Sequence, residues 1–190
     1  MRVVLMGPPG SGKGTQAAVV SERLGVPHVS TGELFRGHLD QVTPLGIAAG
    51  MFMDSGSYVP DHITNAMVRD RLGQPDAAAG FLLDGYPRTI EQVHELDSVL
   101  ADLGIALDRV VELSIDNDEV VGRLLKRAQE QGRADDTEEV IRHRMEVYAE
   151  QTEPLARVYA DKGLLVHVDG MGTVEQVRDR VLGALQGEPG

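Results

Sequence analysis

The sequence predicts an α/β protein, a mostly parallel sheet with helices on both faces, and three observations lead there. Short apolar, β-branched runs at Arg2–Met6, Phe81–Asp84, 109–115 and 164–168 have the length and composition of buried strands. Longer amphipathic segments separate them, so strands alternate with helices and each pair of strands needs a crossover. The first strand also runs directly into a glycine-rich stretch followed by a helical pattern. Sheets of this kind bind ligands beyond the carboxyl ends of their strands, so the loops after the strands are the places to look for function.

Taken in order, the helix after Pro87 repeats apolar residues at three and four, with Ile90, Val93, Leu96, Val99, Leu100 and Leu103. The last helix does so with Val174, Val177, Val181, Leu182 and Leu185. Two stretches depart from the alternation. Residues 30–59 pass through two helical patterns with no strand between them, and residues 129–136 are polar, charged and interrupted by glycine. Both are predicted to be lobes that stand off the sheet and move, while 187–190 reads as a frayed end. A chain of 190 residues is expected to form one compact unit.

Composition narrows the function. There is no cysteine, which excludes disulfides, thiolate zinc sites and cysteine nucleophiles. The histidines, His28, His38, His62, His94, His143 and His167, never fall at the spacing of a metal pair. A net charge of −12 argues against a nucleic-acid polymer as partner, because phosphate backbones are met by basic surfaces. It is compatible with a small phosphorylated ligand, since a few arginines in one cleft set the local potential. No apolar run reaches the roughly 20 residues that span a bilayer, and the opening MRVVLMG leads into a motif instead of a cleavable signal. No membrane association and a cytoplasmic location are the expectations.

The glycine-rich stretch reads Gly7, Pro8, Pro9, Gly10, Ser11, Gly12, Lys13, Gly14, Thr15. Such a loop turns successive backbone N–H groups toward a phosphate, and the helix that follows adds its positive N-terminal end. Lys13 then reaches β- and γ-phosphates. A P-loop of the strict pattern has Ser or Thr directly after the lysine, where this chain has Gly14. Magnesium is therefore expected through nucleotide phosphates and waters near Thr15 and Asp84, with no direct protein ligand. Asp84 itself closes an apolar strand, in the manner of the acidic residue that other P-loop proteins place near magnesium; a cap or salt bridge is the alternative.

Further ordered motifs are Ser30-Thr31-Gly32-Glu33-Leu34-Phe35-Arg36, residues 56–61, Phe81 through Thr89 with Gln92, and Gly132-Arg133-Ala134-Asp135-Asp136. With the loop, they make the sequence resemble the adenylate kinase family, of P-loop nucleoside monophosphate kinases, over nearly its whole length. The resemblance implies transfer of a phosphoryl group from Mg-ATP to AMP, giving two ADP. It implies AMP contacts at Thr31, Arg36, Gly85, Tyr86, Pro87, Arg88 and Gln92 and at the backbone of Ser57, Tyr58 and Val59. Other roles remain open at several of these. Ser30 with Glu33, and Thr89 with Gln92, also fit helix-capping patterns, so the Gln92 amide can serve its own helix or read the adenine edge.

Arg123 and Arg127 are four apart on the helix after residue 115 and share a face. Arg133 precedes the Asp135-Asp136 pair, and Arg144 lies on the next helix, where Asp136 and Glu139 suggest a cap. With Glu130, Glu138 and Glu139 nearby, this charge pattern also suits a solvated surface. The resemblance implies that Arg123 packs on the ATP adenine, that Arg127 contacts ATP phosphates, and that Arg133 and Arg144 bridge the two nucleotides. Gly10 to Thr15 hold the ATP phosphates, and Gly172 lends backbone to the adenine pocket or forms a simple turn. The core is expected at 1–29, 60–125 and 138–190, with an AMP-binding lobe at 30–59 and a short lid at 126–137 that needs no zinc. A monomer is expected. The competing readings are a kinase for UMP or CMP and a non-catalytic nucleotide sensor; the absence of an Asn-Lys-x-Asp motif disfavours a GTPase.

Overall fold

The computed structural model describes residues 1–116, 120, 122–124 and 137–187. Five strands, β1 (Arg2–Met6), β2 (His28–Ser30), β3 (Phe81–Asp84), β4 (Arg109–Ser114) and β5 (Leu165–Asp169), form one sheet in the order β2-β3-β1-β4-β5. Every adjacent pair is parallel. Strand β2 is an addition to the sequence reading. It is three residues long, too short for a hydrophobic period, and only its pairing with Leu82, Leu83 and Asp84 defines it. Ser30 thus ends the sheet and caps the next helix.

The helices are α1 (Lys13–Leu24), α2 (Thr31–Asp40), α3 (Pro44–Ser55), α4 (Asp61–Leu72), α5 (Ile90–Asp102), α6 (Glu138–Val147), α7 (Leu155–Asp161) and α8 (Val174–Gln186). Alternation along the strands divides the core into two layers. Val3, Leu5, Leu82, Val111 and Leu113 face α1 and α8, meeting Ala17, Val20, Val177 and Val181. Val4, Phe81, Leu83 and Val110 face the other way, meeting Val68 of α4, Val93 and Leu96 of α5 and Tyr159 of α7. Because both faces are covered, the strands are continuously apolar, which is why the sequence showed them as runs.

Two small satellite cores lie outside these layers. Phe35, Ala49 and Val59 pack with Phe52 and Met53 and with Ile63 and Met67 of α4, which ties α2, α3 and the start of α4 together. Val120, Leu124 and Ile141 pack with Ile115 and Met145 at the base of α6. Helix starts follow the capping chemistry of the sequence: Ser30, Thr43, Thr89, Thr137 and Thr173 each accept a bond from a backbone N–H in the first turn. At α6 the cap is Thr137, in place of the expected acidic residues. The reciprocal box forms only at Thr173 and Gln176.

Candidate active site

Strand β1 lies between β3 and β4, and the chain leaves it toward β2 on one side and later fills the other side with β4 and β5. This is the switch point of the sheet, and a crevice opens there beyond the strand ends. The glycine-rich loop leaves β1 into that crevice. Gly10 has φ +82°, and a Cβ on it would stand 3.1 Å from Leu124 and 3.2 Å from the Val120 carbonyl, so both conformation and space require glycine. Lys13 Nζ folds back to donate to the carbonyls of Gly7 at 2.6 Å and Pro8 at 2.8 Å. The ammonium thereby sits over the loop. The first turn of α1 contains no acidic residue and no side-chain cap, so its N–H groups are left to an anion.

Asp84 ends β3 next to this loop. A Cβ at Gly14 would lie 3.6 Å from Asp84 Oδ2, so a longer residue after the lysine would press on that carboxylate. His28 Nε2 stands 3.5 Å from the same oxygen. Burial alone would raise the Asp84 carboxyl above the usual aspartate range. His28 and the charges of Lys13 and Arg88 outweigh it, and the group is held low and ionised. Thr15 is exposed on the first turn of α1. Among the described residues, no three His, Asp or Glu side chains converge on a metal position.

The chain turns sharply after Asp84. Gly85 has φ +77°, and a Cβ there would fall 2.8 Å from Arg88 Nη2 and 2.9 Å from Thr31 Oγ1. Its carbonyl accepts from both Thr31 Oγ1 at 2.9 Å and Arg88 Nε at 2.7 Å. Anchoring through Nε leaves the two Nη groups of Arg88 without a hydrogen-bond or ion-pair partner among the described residues. Arg36 stacks against Gly32, with its guanidinium nitrogens 3.3 and 3.4 Å from the place of a Gly32 Cβ. The Tyr86 side chain points away from the crevice. Its ring is in the core, and its hydroxyl donates to Asn65 Oδ1 at 2.9 Å. The bond from Tyr86 to Pro87 is cis.

Gln92 is buried, and its amide is oriented by two partners. Nε2 donates to Asp61 Oδ1 at 2.6 Å, and Oε1 accepts from the Arg88 backbone N–H at 2.7 Å. Its own backbone N–H goes to Thr89 Oγ1, whose proton goes to Asp61 Oδ2. The capping pattern in the sequence is therefore half met: Thr89 caps, while the Gln92 side chain bonds elsewhere. Val59 is buried in the lobe core and Ser57 reaches toward His143 at 3.4 Å, so both leave mainly backbone to a ligand. Arg144 Nη2 approaches the Met53 carbonyl at 3.5 Å, which joins α6 to the lobe.

On the opposite side of the loop, Arg123 lies along the turn after β5, with Nη1 3.5 Å from the Gly170 carbonyl and Nη2 3.9 Å from Met171 Sδ. Gly172 has φ +113° in that turn, and Arg180 donates to the Met171 carbonyl at 2.6 Å. Arg127, Arg133 and residues 126–136 of the predicted lid lie outside the described residues. The sequence reading did not name His28, Thr152 or Met171 as neighbours of the site, and it included Asp61 only as the end of the motif at 56–61. Only Asp61, placed after a proline at a helix start, left any local signal.

A phosphate-binding loop at the switch point of a parallel sheet, faced by a second set of cationic side chains from β3 and α2, defines the class: a P-loop protein with room for a second anionic ligand. Comparison with known proteins narrows this further. The adenylate kinase family profile matches residues 5–164. The chain is 57% identical to the adenylate kinase of Kocuria rhizophila over 97% of this chain and 98% of that one. It is 55% identical to the adenylate kinase of a Nocardioides species, over 97% of each. It is 54% identical to that of Thermobifida fusca, over 98% of each. The chain belongs to the adenylate kinase family. It is an enzyme whose reaction is the reversible transfer of a phosphoryl group from ATP to AMP, giving two ADP. Among the described residues, no helix is long and apolar enough to cross a membrane.

Proposed function

We propose that the loop at residues 7–15 holds the ATP polyphosphate while Thr31, Arg36, Gly85, Arg88, Gln92 and the backbone of 57–59 hold AMP, with Tyr86 and Pro87 contributing backbone. The observation that supports this most is Arg88. It is fixed through Nε to Gly85, keeps its Nη pair for a phosphate, and lies close enough to Asp84 to help hold that carboxylate ionised. Guanidinium forks bind phosphate with two parallel bonds, which fixes direction as well as charge. Gln92 uses one N–H and one lone pair of its amide inside the protein. One of each is left, matching the N1 acceptor and N6 donor of adenine.

The AMP phosphate is already anionic at neutral pH, since its second pKa is about 6. No general base is required, and the two histidines near the crevice are engaged elsewhere, His28 beside Asp84 and His143 near Ser57. Catalysis is then positioning plus charge stabilisation by Lys13, Arg88, Arg127, Arg133 and Arg144. Arg123 and the backbone at Gly172 take the ATP adenine. Asp84 and Thr15 suit a hydrated magnesium ion carried by the nucleotide: a single ionised carboxylate and a hydroxyl cannot make a full protein ligand set, and Mg²⁺ keeps several waters. Magnesium supplies charge neutralisation at the phosphate oxygens.

The small core of Phe35, Ala49 and Val59, distinct from the two sheet layers and anchored on Ile63 and Met67 of α4, supports a lobe at 30–59 that moves against the sheet, and the segment 126–137 serves as a short lid. Their closure keeps water from replacing AMP as acceptor. The enzyme acts as a monomer in the cytoplasm. A product assay with ATP and each of AMP, GMP, CMP and UMP tests the reading. AMP is expected to be strongly preferred, and equal turnover of UMP or CMP would overturn the assignment of Gln92.

A further inference from the structure

Arg88 is held on a third side by Thr152, which no motif predicts, and by the side chain of Tyr58, which the motif at 56–61 implied only through its backbone. Thr152 is buried at the end of a π-helical turn, Tyr148–Thr152, that continues α6. Its Oγ1 donates to the Arg88 carbonyl at 2.9 Å and lies 2.7 Å from Tyr58 Oη. A threonine hydroxyl has one proton, and the carbonyl can only accept. The Thr152 proton is therefore committed to Arg88, and Tyr58 must be the donor in the second bond. The Tyr58 ring in turn lies under the Arg88 guanidinium, 4.9 Å from centroid to Cζ. These contacts make a closed loop through side chain and backbone: Arg88 carbonyl, Thr152, Tyr58 hydroxyl, Tyr58 ring, Arg88 guanidinium.

We propose that Tyr58 and Thr152 are positioning residues that set the direction of the Arg88 fork toward the AMP phosphate; this rests on the reading of Arg88 as the AMP-phosphate residue. The Gly85 carbonyl fixes where Nε sits, and rotation about the last bonds would still let the fork swing. A ring against one face removes that freedom, and the cation–π attraction favours the same plane. Thr152 keeps the ring in place and fixes the backbone from which Arg88 springs. Tyr58 belongs to the hinge between the lobe and α4, and Thr152 to the rod that begins at α6 and bears Arg144. The two elements that flank the acceptor site thus meet on one arginine. Thr152 follows the buried Tyr148 by four residues and so falls on the same inward face of the rod, while Glu150 and Gln151 remain exposed.

The test is steady-state kinetics of Thr152→Val, Thr152→Ser, Tyr58→Phe, Tyr58→Leu and the double variant Thr152→Val/Tyr58→Phe, with thermal melting of each. Thr152→Val is expected to raise KM for AMP about tenfold and leave KM for ATP within about twofold, the scale of one lost buried hydrogen bond. Thr152→Ser, which retains the hydroxyl, should restore AMP KM to within about threefold of the parent. Tyr58→Leu should raise AMP KM more than Tyr58→Phe, because it removes the ring as well as the proton. In the double variant, Tyr58→Phe should add less than it does alone, its hydroxyl partner being already gone. If Thr152→Val lowers the melting temperature while the two KM values stay unchanged or move together, Thr152 only supports the fold and the proposal fails. Arg88→Lys separates the two levels. An unchanged AMP KM there refutes the role of Arg88 itself, whereas a raised KM alongside a silent Thr152→Val refutes only the positioning.

Discussion

The donor and acceptor sides of the crevice are built in opposite ways. On the donor side one continuous stretch, residues 7–15, makes the phosphate cradle, and its lysine bonds to carbonyls five and six residues back. On the acceptor side, Thr31 meets Gly85 across 54 residues, Gln92 meets Asp61 across 31, and Tyr58 meets Thr152 across 94. A locally closed loop keeps its shape as long as its glycines and strand are present. An assembled site depends on α2, the 57–59 segment, the turn after β3 and the end of α6 all being in place. On the proposed assignment, ATP is held by a locally built part and AMP by one assembled from distant segments.

The largest effect is expected where the local side is broken. Lys13→Ala should lower kcat by about a thousandfold, the order seen when a charge aimed at the transition state is removed. The melting temperature should change little, because the strand and α1 remain. A folded variant with near-normal turnover would show that the cradle works without its ammonium. Gln92→Glu probes the assembled side and is not a neutral exchange, since it sets a second carboxylate at the 2.6 Å contact with Asp61. The new carboxyl should have a raised pKa, so stability should be near normal in mild acid and fall as pH rises through that value. Thermal melts from pH 5 to 8 read this, and a pH-independent loss would mean that the Asp61 contact is not made.

Gly85→Ala should cost about 1–2 kcal/mol from its left-handed backbone alone and push Arg88 and Thr31 apart. AMP affinity should fall with it, while ATP binding stays within about twofold if the two sides are as separate as they look. The smallest effect on stability is at Asp84. Its folded pKa is lowered, so its contribution is fully present above the ordinary value of 3.8 and is lost as pH falls through the lower folded value. Asp84→Asn should flatten the acid limb of the stability curve. An unaltered limb would place the acid transition elsewhere.

The same contrast decides what could be read from the sequence. The cradle was legible because its geometry is local: glycines before a lysine, between a strand and a helix, allow one arrangement. The sheet was legible for a similar reason, its doubly covered strands appearing as apolar runs. Strand β2 was not, because His28, Val29 and Ser30 are too few to show a period and are strand only by pairing with β3. The sequence left Gln92 between capping and adenine contact and gave no sign of its partner, since Asp61 reaches it from another helix. Thr152 left no trace, because a lone threonine on a helix carries no motif and its partners Tyr58 and Arg88 lie 94 and 64 residues away in sequence. Tyr86 was read as part of the AMP site, and its motif gave no sign that its side chain is spent on the core and on Asn65.

The division of labour between the two sides is tested most directly by calorimetric binding of AMP, and separately of a non-hydrolysable ATP analogue with magnesium, to the parent and Arg88→Lys. Lysine keeps the charge but has neither the fork nor the Nε bond to Gly85. AMP binding should weaken about tenfold or more while the ATP analogue binds within about twofold of the parent. Equal weakening of both ligands, or of neither, would contradict the assignment of Arg88 and its surroundings to the acceptor.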